Sequence, residues 1–227
     1  MQLYIGNKNY STWSMRPWVM LKQFDIPFEE IRLTLDPNLD SEFKRRLKSI
    51  TPTGLVPVLI HNDMVVWDTL AIAETVAESF PHLPMWPRDA KARARARSNC
   101  AEMHCGFTSL RNHCPMNIEA QMPEIGAKLM KENDSVRSDL QRIVAMWQSA
   151  LNDSKRSFLF GDFSIADAYF APVVMRIRTF ALPVPADIAA YCERITALHS
   201  VQDWIKAALQ EHEFIEHDEP YRIKPTD

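Results

Sequence analysis

Three neighbouring side chains near the N-terminus, Tyr10, Ser11 and Thr12, carry hydroxyl groups. They precede a stretch with helical spacing, for which Ser14 is a favourable N-cap, and Pro17 suits the first turn because its missing N–H costs little there. A helix N-terminus presents free N–H groups and the positive end of the helix dipole, so it stabilises a nearby negative charge. Hydroxyl donors at such a place could stabilise a bound thiolate.

The elements that must position these hydroxyls alternate between strand and helix. Residues 2–6 read as a strand and residues 15–24 as a helix, and the hydrophobic residues at 31, 33 and 35 have the period of a half-buried strand. The pattern then predicts a short helix over residues 41–50, a hairpin of strands at 56–60 and 64–67, and a helix ending near residue 80. The order βαβαββα predicts an α/β layer architecture.

The remainder of the chain, from Pro87 onward, has only helical patterns. One run from about residue 89 to 113 has few helix breakers, and Ser164 with Asp167 resembles a capping box before a further helix. Pro172 should kink that helix or move one of its ends. The tail from Glu219 onward is expected to be irregular, and three prolines between residues 81 and 88 mark a linker.

Composition narrows the functional class. The formal net charge of −3 gives no reason to expect nucleic acid or an anionic membrane as a partner, and no apolar run has the length of a membrane span. Polar residues at positions 7–9 interrupt any signal peptide.

The four irregularly spaced cysteines are expected to be reduced thiols in a cytosolic protein. Cys100 and His104 lie one helical turn apart, but without a matched second pair we expect no metal site.

Four stretches, in this order, resemble the cytosolic glutathione S-transferase family over nearly the whole chain. The Ser-x-x-Ser-x-Arg pattern of residues 11–16 is similar to that of the serine-dependent tau and zeta classes. Residues 51–59 look like the family's loop and cis-proline strand, residues 68–72 stand where it has Glu-Ser-x-Ala-Ile, and residues 164–167 match its Ser-x-Ala-Asp cap. The resemblance implies a thioredoxin-like glutathione-binding domain over residues 1–81 and an all-helical substrate domain over residues 88–227.

The resemblance also implies the residues that bind glutathione. Ser11 would donate a hydrogen bond to the glutathione sulfur and hold it as the nucleophilic thiolate. The other implied glutathione-binding residues are Leu55, Val56, Pro57, Asp68 and Thr69, with Pro57 in a cis peptide bond and Thr69 also able to cap a helix. Leu55 departs from the Gln or Lys of several classes, so either another cation binds the glycine carboxylate or glutathione binds weakly.

Residues of the second-substrate pocket are predicted at Trp13, His104 and Arg111. Trp13 occupies the place of a cysteine in some relatives, and no cysteine precedes residue 100, which excludes dithiol chemistry. Ser14 and Tyr10 are the rivals of Ser11 for the thiolate. Ser14 is the better N-cap, and Tyr10 does not fit the register of the motif.

The resemblance therefore implies a cytoplasmic, homodimeric glutathione transferase that conjugates glutathione, its co-substrate, to a small electrophile and needs no metal. One alternative is a glutathione-dependent isomerase acting on a maleyl-type acid. The other is a binding or regulatory protein that keeps the fold without the chemistry.

Overall fold

A computed structural model describes residues 1–224; residues 225–227, the end of the predicted helical domain and of its irregular tail, lie outside the described residues. The order βαβαββα predicted from the sequence is confirmed in the first part of the chain. Its elements are β1 (Gln2–Ile5), α1 (Thr12–Gln23), β2 (Glu29–Arg32), α2 (Glu42–Lys48), β3 (Val58–His61), β4 (Met64–Trp67) and α3 (Thr69–Ser79).

The four strands form one mixed sheet in the order β2-β1-β3-β4. Strand β1 runs parallel to β2 and antiparallel to β3, and Tyr4 lies opposite both Ile31 and Val58. Strands β3 and β4 form the predicted antiparallel hairpin. The arrangement is thioredoxin-like, as the resemblance implied.

Successive strand residues face opposite sides of the sheet, so the sheet is covered on both faces. Leu3 and Leu59 are fully buried in the main core, which also contains residues of α1 and α3. Tyr4 and Val58 point the other way and pack with Leu47 of α2 in a smaller cluster.

From Ala90 onward the described chain builds seven α helices. They are α4 (Ala90–Cys105), α5 (Thr108–His113), α6 (Pro123–Glu132), α7 (Asp134–Ser154), α8 (Ile165–Thr179), α9 (Ala186–Thr196) and α10 (His199–Leu209). The predicted run over residues 89–113 is two helices, because Gly106 ends α4 in an extended conformation and Phe107 adopts a left-handed φ of 56°. The sequence reading did not include α6.

The start of α1 differs from the prediction. The helix begins at Thr12, with Ser11 at the N-cap position, so Ser14 lies inside the first turn and Pro17 lies in the helix interior. The predicted N-cap role of Ser14 is wrong because its Oγ is used elsewhere: it accepts a hydrogen bond from the N–H of Gly6 at 3.1 Å. Helix boundaries read from propensity alone carry errors of this size.

The start of α8 agrees with the prediction. The Asp167 carboxylate accepts hydrogen bonds from the N–H of Ser164 at 2.9 Å and from its hydroxyl at 3.0 Å. Asp167 is fully buried, which supports a capping role. Pro172 moves neither end of α8, which continues to Thr179.

The sheet and the helices share one core. Helix α1 packs against α8 and α10 as well as against α3. A single cluster of buried residues therefore extends from Leu3 in β1 to Trp204 in α10. No helix among residues 1–224 combines the length and apolar character needed to cross a membrane.

Candidate active site

Ser11 lies at the N-terminus of α1, the central helix of the molecule. Its N–H donates to the carbonyl of Asn7 at 2.8 Å, and its Oγ donates to the Oγ of Ser14 at 2.7 Å. The Ser11 side chain does not cap α1. The backbone N–H groups of Thr12 and Trp13 have no hydrogen-bond partner among the described residues. A hydroxyl and free helix N–H groups are thus available for an anion.

Two cavities meet beside this helix end. The first has a volume of about 310 Å³ and contains all five predicted glutathione-binding residues in its lining, which consists of Trp13, Thr53, Leu55, Val56, Pro57, Trp67, Asp68, Thr69 and His104. The second has a volume of about 330 Å³ and is lined by Ser11 and by residues from both parts of the chain. Both cavities share Trp13, Leu55 and Val56, so Ser11 stands close to their junction.

The peptide bond between Val56 and Pro57 is cis, as the resemblance implied. Strand β3 begins only at Val58. The N–H and C=O of Val56 therefore lie outside the ladder, and neither has a hydrogen-bond partner in the described part of the chain. Because backbone polar groups need partners, this residue offers a strand-like edge to a peptide in the first cavity.

Asp68 caps α3, and Thr69 does not. The Asp68 Oδ1 accepts from the N–H groups of Leu70 and Ala71 at 2.8 and 3.4 Å. The alternative role of Thr69 as the cap is thereby corrected: its hydroxyl lies 2.9 Å from the hydroxyl of Tyr169 in α8. Asp68 caps the helix while adopting a left-handed φ of 75°.

His104 lies in the first cavity, whereas the sequence assigned it to the second-substrate pocket. Its Nε2 is 3.2 Å from Oδ2 of Asp68, and its Nδ1 is 2.7 Å from the hydroxyl of Tyr169. The Trp13 ring packs edge-on against the imidazole, with 5.1 Å between ring centres. A connected polar network thus joins α3, α4 and α8 behind the cavity.

Arg16, the last residue of the Ser-x-x-Ser-x-Arg pattern, packs against Trp13 and Tyr169 of this network. Its guanidinium lies between two rings, 4.3 Å from the centre of Trp13 and 4.2 Å from that of Tyr169, and its Nε donates to the Tyr169 carbonyl at 3.1 Å. Burial lowers the pKa of Arg16 to about 10, with the Tyr169 hydroxyl opposing that shift. Arg16 therefore orients Trp13 against α8.

Arg111 and Arg176 line the second cavity. The Nη1 of Arg176 donates to the carbonyls of Arg111, at 3.1 Å, and of Cys114. Neither arginine forms an ion pair within residues 1–224, although Asp36 and Asp218 lie elsewhere in the same lining. Burial, with a smaller contribution from neighbouring Arg16, lowers the pKa of Arg176 to about 9.

Tyr10, the alternative to Ser11 as the residue that stabilises the thiolate, has a hydroxyl that is hydrogen-bonded to another side chain. It donates to Oε1 of Glu219 at 2.7 Å, and burial together with this carboxylate raises the pKa of Tyr10 to about 12. The phenol therefore stays protonated and bound to Glu219. Tyr4 packs under α2 on the far side of the sheet.

The cysteines lie apart from this site. All four are unpaired, and Cys100, one turn from His104, is fully buried, which raises the pKa of its thiol. Within residues 1–224 no cluster of three or more His, Cys, Asp or Glu side chains could hold a metal ion.

Several residues of the site had no role in the sequence reading. Tyr169 and Arg176 belong to α8, a mostly apolar helix in which Arg176 is one of two arginines and was the available signal. Lys44, in the lining of the second cavity, donates through Nζ to the carbonyl of Gly54 at 3.2 Å. Glu219 gave no signal, because its role depends on a contact across more than two hundred residues of sequence.

Comparisons with known proteins agree with this architecture. Residues 10–79 match the sequence model of the family described as "Glutathione S-transferase, N-terminal domain". Glutathione S-transferase 1 of Dianthus caryophyllus is 26% identical over 176 residues, which are 77% of this chain and 76% of that protein. A probable maleylacetoacetate isomerase of Caenorhabditis elegans is 31% identical over 110 residues, 48% of this chain and 49% of that protein.

A solved structure extends the match to both parts of the chain. A glutathione transferase homolog from Burkholderia, with bound glutathione, superposes with a TM-score of 0.70 at 26% identity and covers 91% of this chain and 97% of its own. The chain thus joins a thioredoxin-like sheet to a helical bundle, and its two cavities lie at the end of α1. The chain is therefore similar in sequence and in fold to glutathione S-transferases, and the family's N-terminal domain model matches residues 10–79.

Proposed function

We propose that this protein is a glutathione transferase, in which Ser11 stabilises the glutathione thiolate for attack on a small electrophile. One observation carries the proposal: the Ser11 hydroxyl stands beside the free N-terminus of α1, close to the junction of the two cavities. One cavity would hold glutathione and the other the electrophile.

Glutathione would lie in the first cavity, within a domain of residues 1–81. The free N–H and C=O of Val56, next to Pro57, would pair with its cysteinyl backbone. The N–H of Thr69, which has no partner among the described residues, and the Asp68 carboxylate would bind its γ-glutamyl end. Leu55 is 56% exposed and brings no charge. Lys44, which lines the second cavity beside the shared residue Leu55, would instead bind the glycine carboxylate where the two cavities join.

The chemistry begins with a change of hydrogen-bond partner. Ser11 donates to Ser14 in this structure, and it would donate to the glutathione sulfur instead when that sulfur is negative. A thiol has a pKa of about 8.5, and a donor together with a helix N-terminus lowers that value, so more thiolate exists at neutral pH. The sulfur lone pair then forms a bond to an electrophilic carbon. In a substitution that carbon expels a leaving group, and in an addition the neighbouring carbon of the double bond takes up a proton.

The electrophile would lie in the second cavity, against residues 88–227. Trp13 and Arg111 would contact it, while His104 would belong to the glutathione side.

Titration of the purified protein with glutathione tests the proposal. We expect one glutathione to bind per chain and a thiolate absorption band to appear at neutral pH. Ser11→Ala should bind glutathione within about twofold of the wild type, lose the band at neutral pH and lose about a hundredfold in turnover, as other enzymes do without one anion-stabilising donor. Ser98→Ala, on the exposed face of α4, is the control.

Two outcomes contradict the proposal. Full turnover in Ser11→Ala would mean that another group stabilises the thiolate. A wild type that binds glutathione without a thiolate band would indicate the non-catalytic alternative.

A second candidate function is glutathione-dependent isomerisation of a maleyl-type acid. It is favoured by Arg111 and Arg176, whose charges lack carboxylate partners in the described part of the chain. A buried guanidinium without a counter-ion is costly, and a carboxylate of the substrate would offset that cost. Trp13, in the place of the cysteine usual in zeta relatives, speaks against this candidate.

The isomerase is tested with a cis-dicarboxylic acid and its dimethyl ester. If it is correct, glutathione should convert the acid to its trans isomer without being consumed, and Arg111→Met should raise KM for the acid about tenfold but not for the ester. Equal use of acid and ester by the wild type would exclude a carboxylate site.

We further propose a homodimer in the cytoplasm. The hairpin presents large exposed side chains, Met64, Val65 and Trp67, which are candidates for a subunit contact. Sedimentation equilibrium of the wild type and of Trp67→Glu tests the dimer, and a monomeric wild type would exclude it.

A further inference from the structure

The chain returns to Ser11 at its C-terminal end. After α10, residues 210–222, called here the C-terminal segment, run beside residues 6–10, the serine loop that leads into α1. Residues 216–218 of the segment form a 3-10 turn, and His217 and Asp218 line the second cavity together with Ser11. One segment thus borders both the loop and the cavity.

Glu211 forms hydrogen bonds with the middle of the serine loop. Its carboxylate accepts from the N–H of Lys8 at 2.7 Å and from the N–H of Asn9 at 3.2 Å. The Glu211 side chain is only 7% exposed, so these are charge-assisted bonds shielded from water. Because buried N–H groups must be paired, the path of the loop depends on this carboxylate.

Glu219 forms a hydrogen bond with Tyr10, at the end of the loop. Its Oε1 accepts from the Tyr10 hydroxyl at 2.7 Å and from Asn117 Nδ2 at 2.8 Å, and Arg222 Nε donates to its Oε2 at 2.9 Å. Tyr10 is the residue directly before Ser11. The carbonyl of Glu213 and the N–H of Ile215 also contact the Tyr10 hydroxyl, at 3.2 and 3.4 Å.

Glu213 forms a hydrogen bond with Asn7 at the start of the loop, and Asn7 in turn bonds to the backbone of Ser11. The carbonyl of Asn7 accepts the N–H of Ser11, and Asn7 Nδ2 in turn donates to Oε2 of Glu213 at 2.7 Å. Arg32 donates to the other oxygen of Glu213 at 2.6 Å, which fixes that carboxylate. Three glutamates of one segment therefore contact the loop at successive points before Ser11.

We propose that the C-terminal segment positions Ser11 for the thiolate, with Glu211 and Glu219 as positioning residues that act through the serine loop. This inference rests on the proposed function. A donor that is displaced by a fraction of an ångström loses much of its stabilisation of the anion, so weakening either contact should raise the pKa of the bound thiol. Neither Glu211 nor Glu219 lines either cavity, so the affinity for glutathione should change little.

The experiment compares Glu211→Gln and Tyr10→Phe with the wild type, with Ser11→Ala and with Glu216→Gln. Glu216 lies on the same segment and is exposed, and its side chain forms no hydrogen bond or ion pair within residues 1–224, so it controls for a change of charge. Bound-thiol pKa is read from the thiolate band against pH, glutathione Kd from calorimetry, and folding from Tm.

We expect Glu211→Gln and Tyr10→Phe to lower the thiolate fraction at pH 7 and kcat about tenfold, with Kd within twofold of the wild type. Glu216→Gln should match the wild type. The double variant Ser11→Ala/Glu211→Gln should have the thiol pKa of Ser11→Ala alone, because Glu211 acts through Ser11.

A lower Tm with an unchanged thiol pKa in both variants overturns the inference, since the segment would then be structural only. An additive effect in the double variant also overturns it. If Glu211→Gln does not fold, Tyr10→Phe alone decides, because it removes a single oxygen. Absence of a thiolate band in the wild type would instead contradict the proposed function, so the two failures are distinguishable.

Discussion

At the scale of single residues, the charge that surrounds the two cavities comes from unexpected positions. Leu55 leaves the edge of the first cavity without a cation, and Lys44 approaches the same loop through the carbonyl of Gly54. The Ser11 hydroxyl donates its hydrogen bond to Ser14 in this structure. The site therefore combines one mobile hydroxyl proton with fixed positive charges.

Lys44→Met should weaken glutathione binding about fivefold, because a partly exposed ion pair contributes on the order of 1 kcal/mol. The glycine monoethyl ester of glutathione lacks the carboxylate, so it should bind the wild type and the variant equally. Calorimetric titration measures both ligands, and Lys22→Met, on the opposite end of α1, is the control. If the variant weakens acid and ester by the same factor, Lys44 does not bind the carboxylate.

At the scale of elements, α8 carries the interface between the sheet and the bundle. Its start depends on Asp167, which also accepts the N–H of Leu159 at 3.1 Å and the hydroxyl of Tyr191 at 3.0 Å. One buried carboxylate thus joins the preceding loop, the helix start and α9. Tyr169 and Arg176 depend on this anchoring, since both project from the same helix.

Asp167→Ala should lower the free energy of unfolding by about 3 kcal/mol, because it leaves several buried donors without an acceptor. Asp187→Ala, which removes an exposed carboxylate from the start of α9, should cost less than about 0.5 kcal/mol. Urea denaturation measures both. Equal losses for the two variants would mean that the Asp167 bonds contribute nothing specific.

The same residue predicts a pH dependence. Burial raises the pKa of Asp167 to about 6 from 3.8, with its four hydrogen bonds opposing the shift. A folded-state pKa above the unfolded value means that the contribution is fully present below about pH 4 and is lost as the pH rises through about 6. The difference in stability between the wild type and Asp167→Asn should therefore shrink from pH 4.5 to pH 7.5, as urea denaturation at both values would measure. A difference that grows over this range would contradict the shift.

At the scale of the whole molecule, the sheet and the helical bundle share a core, and Arg16 lies within their contact. Its guanidinium stacks on Trp13 from one part and on Tyr169 from the other. Separating the sheet from the helical bundle would expose apolar surface on both. Unfolding of the two parts should therefore be coupled.

Urea unfolding should show one transition, with the same midpoint by tryptophan fluorescence and by far-ultraviolet circular dichroism. Arg16→Lys should lower both midpoints together, by about 2 kcal/mol of stability, because an ammonium can neither stack between two rings nor keep the geometry of the guanidinium. Arg88→Lys, at an exposed position just before α4, controls for the substitution. Separate transitions in the wild type would show that the two parts unfold independently.

The local features of this protein were readable from the sequence. The order βαβαββα, the helical second part and the Asp167 cap followed from periods and caps that span only a few residues. The Ser-x-x-Ser-x-Arg pattern indicated the helix end at which Ser11 lies. Such features are local because periodicity and capping depend on neighbours within one or two turns.

Only the tertiary structure decided which distant residues meet. His104 contacts Asp68, Thr69 contacts Tyr169 instead of capping α3, and Glu211 contacts the loop before Ser11. Each of these contacts joins residues far apart in sequence, and they depend on how α3 packs against α4 and how α1 packs against α8 and α10. Side-chain spacing along one element carries no information on that packing, so the sequence specified the candidate nucleophile-stabilising serine, while the fold determined what surrounds it.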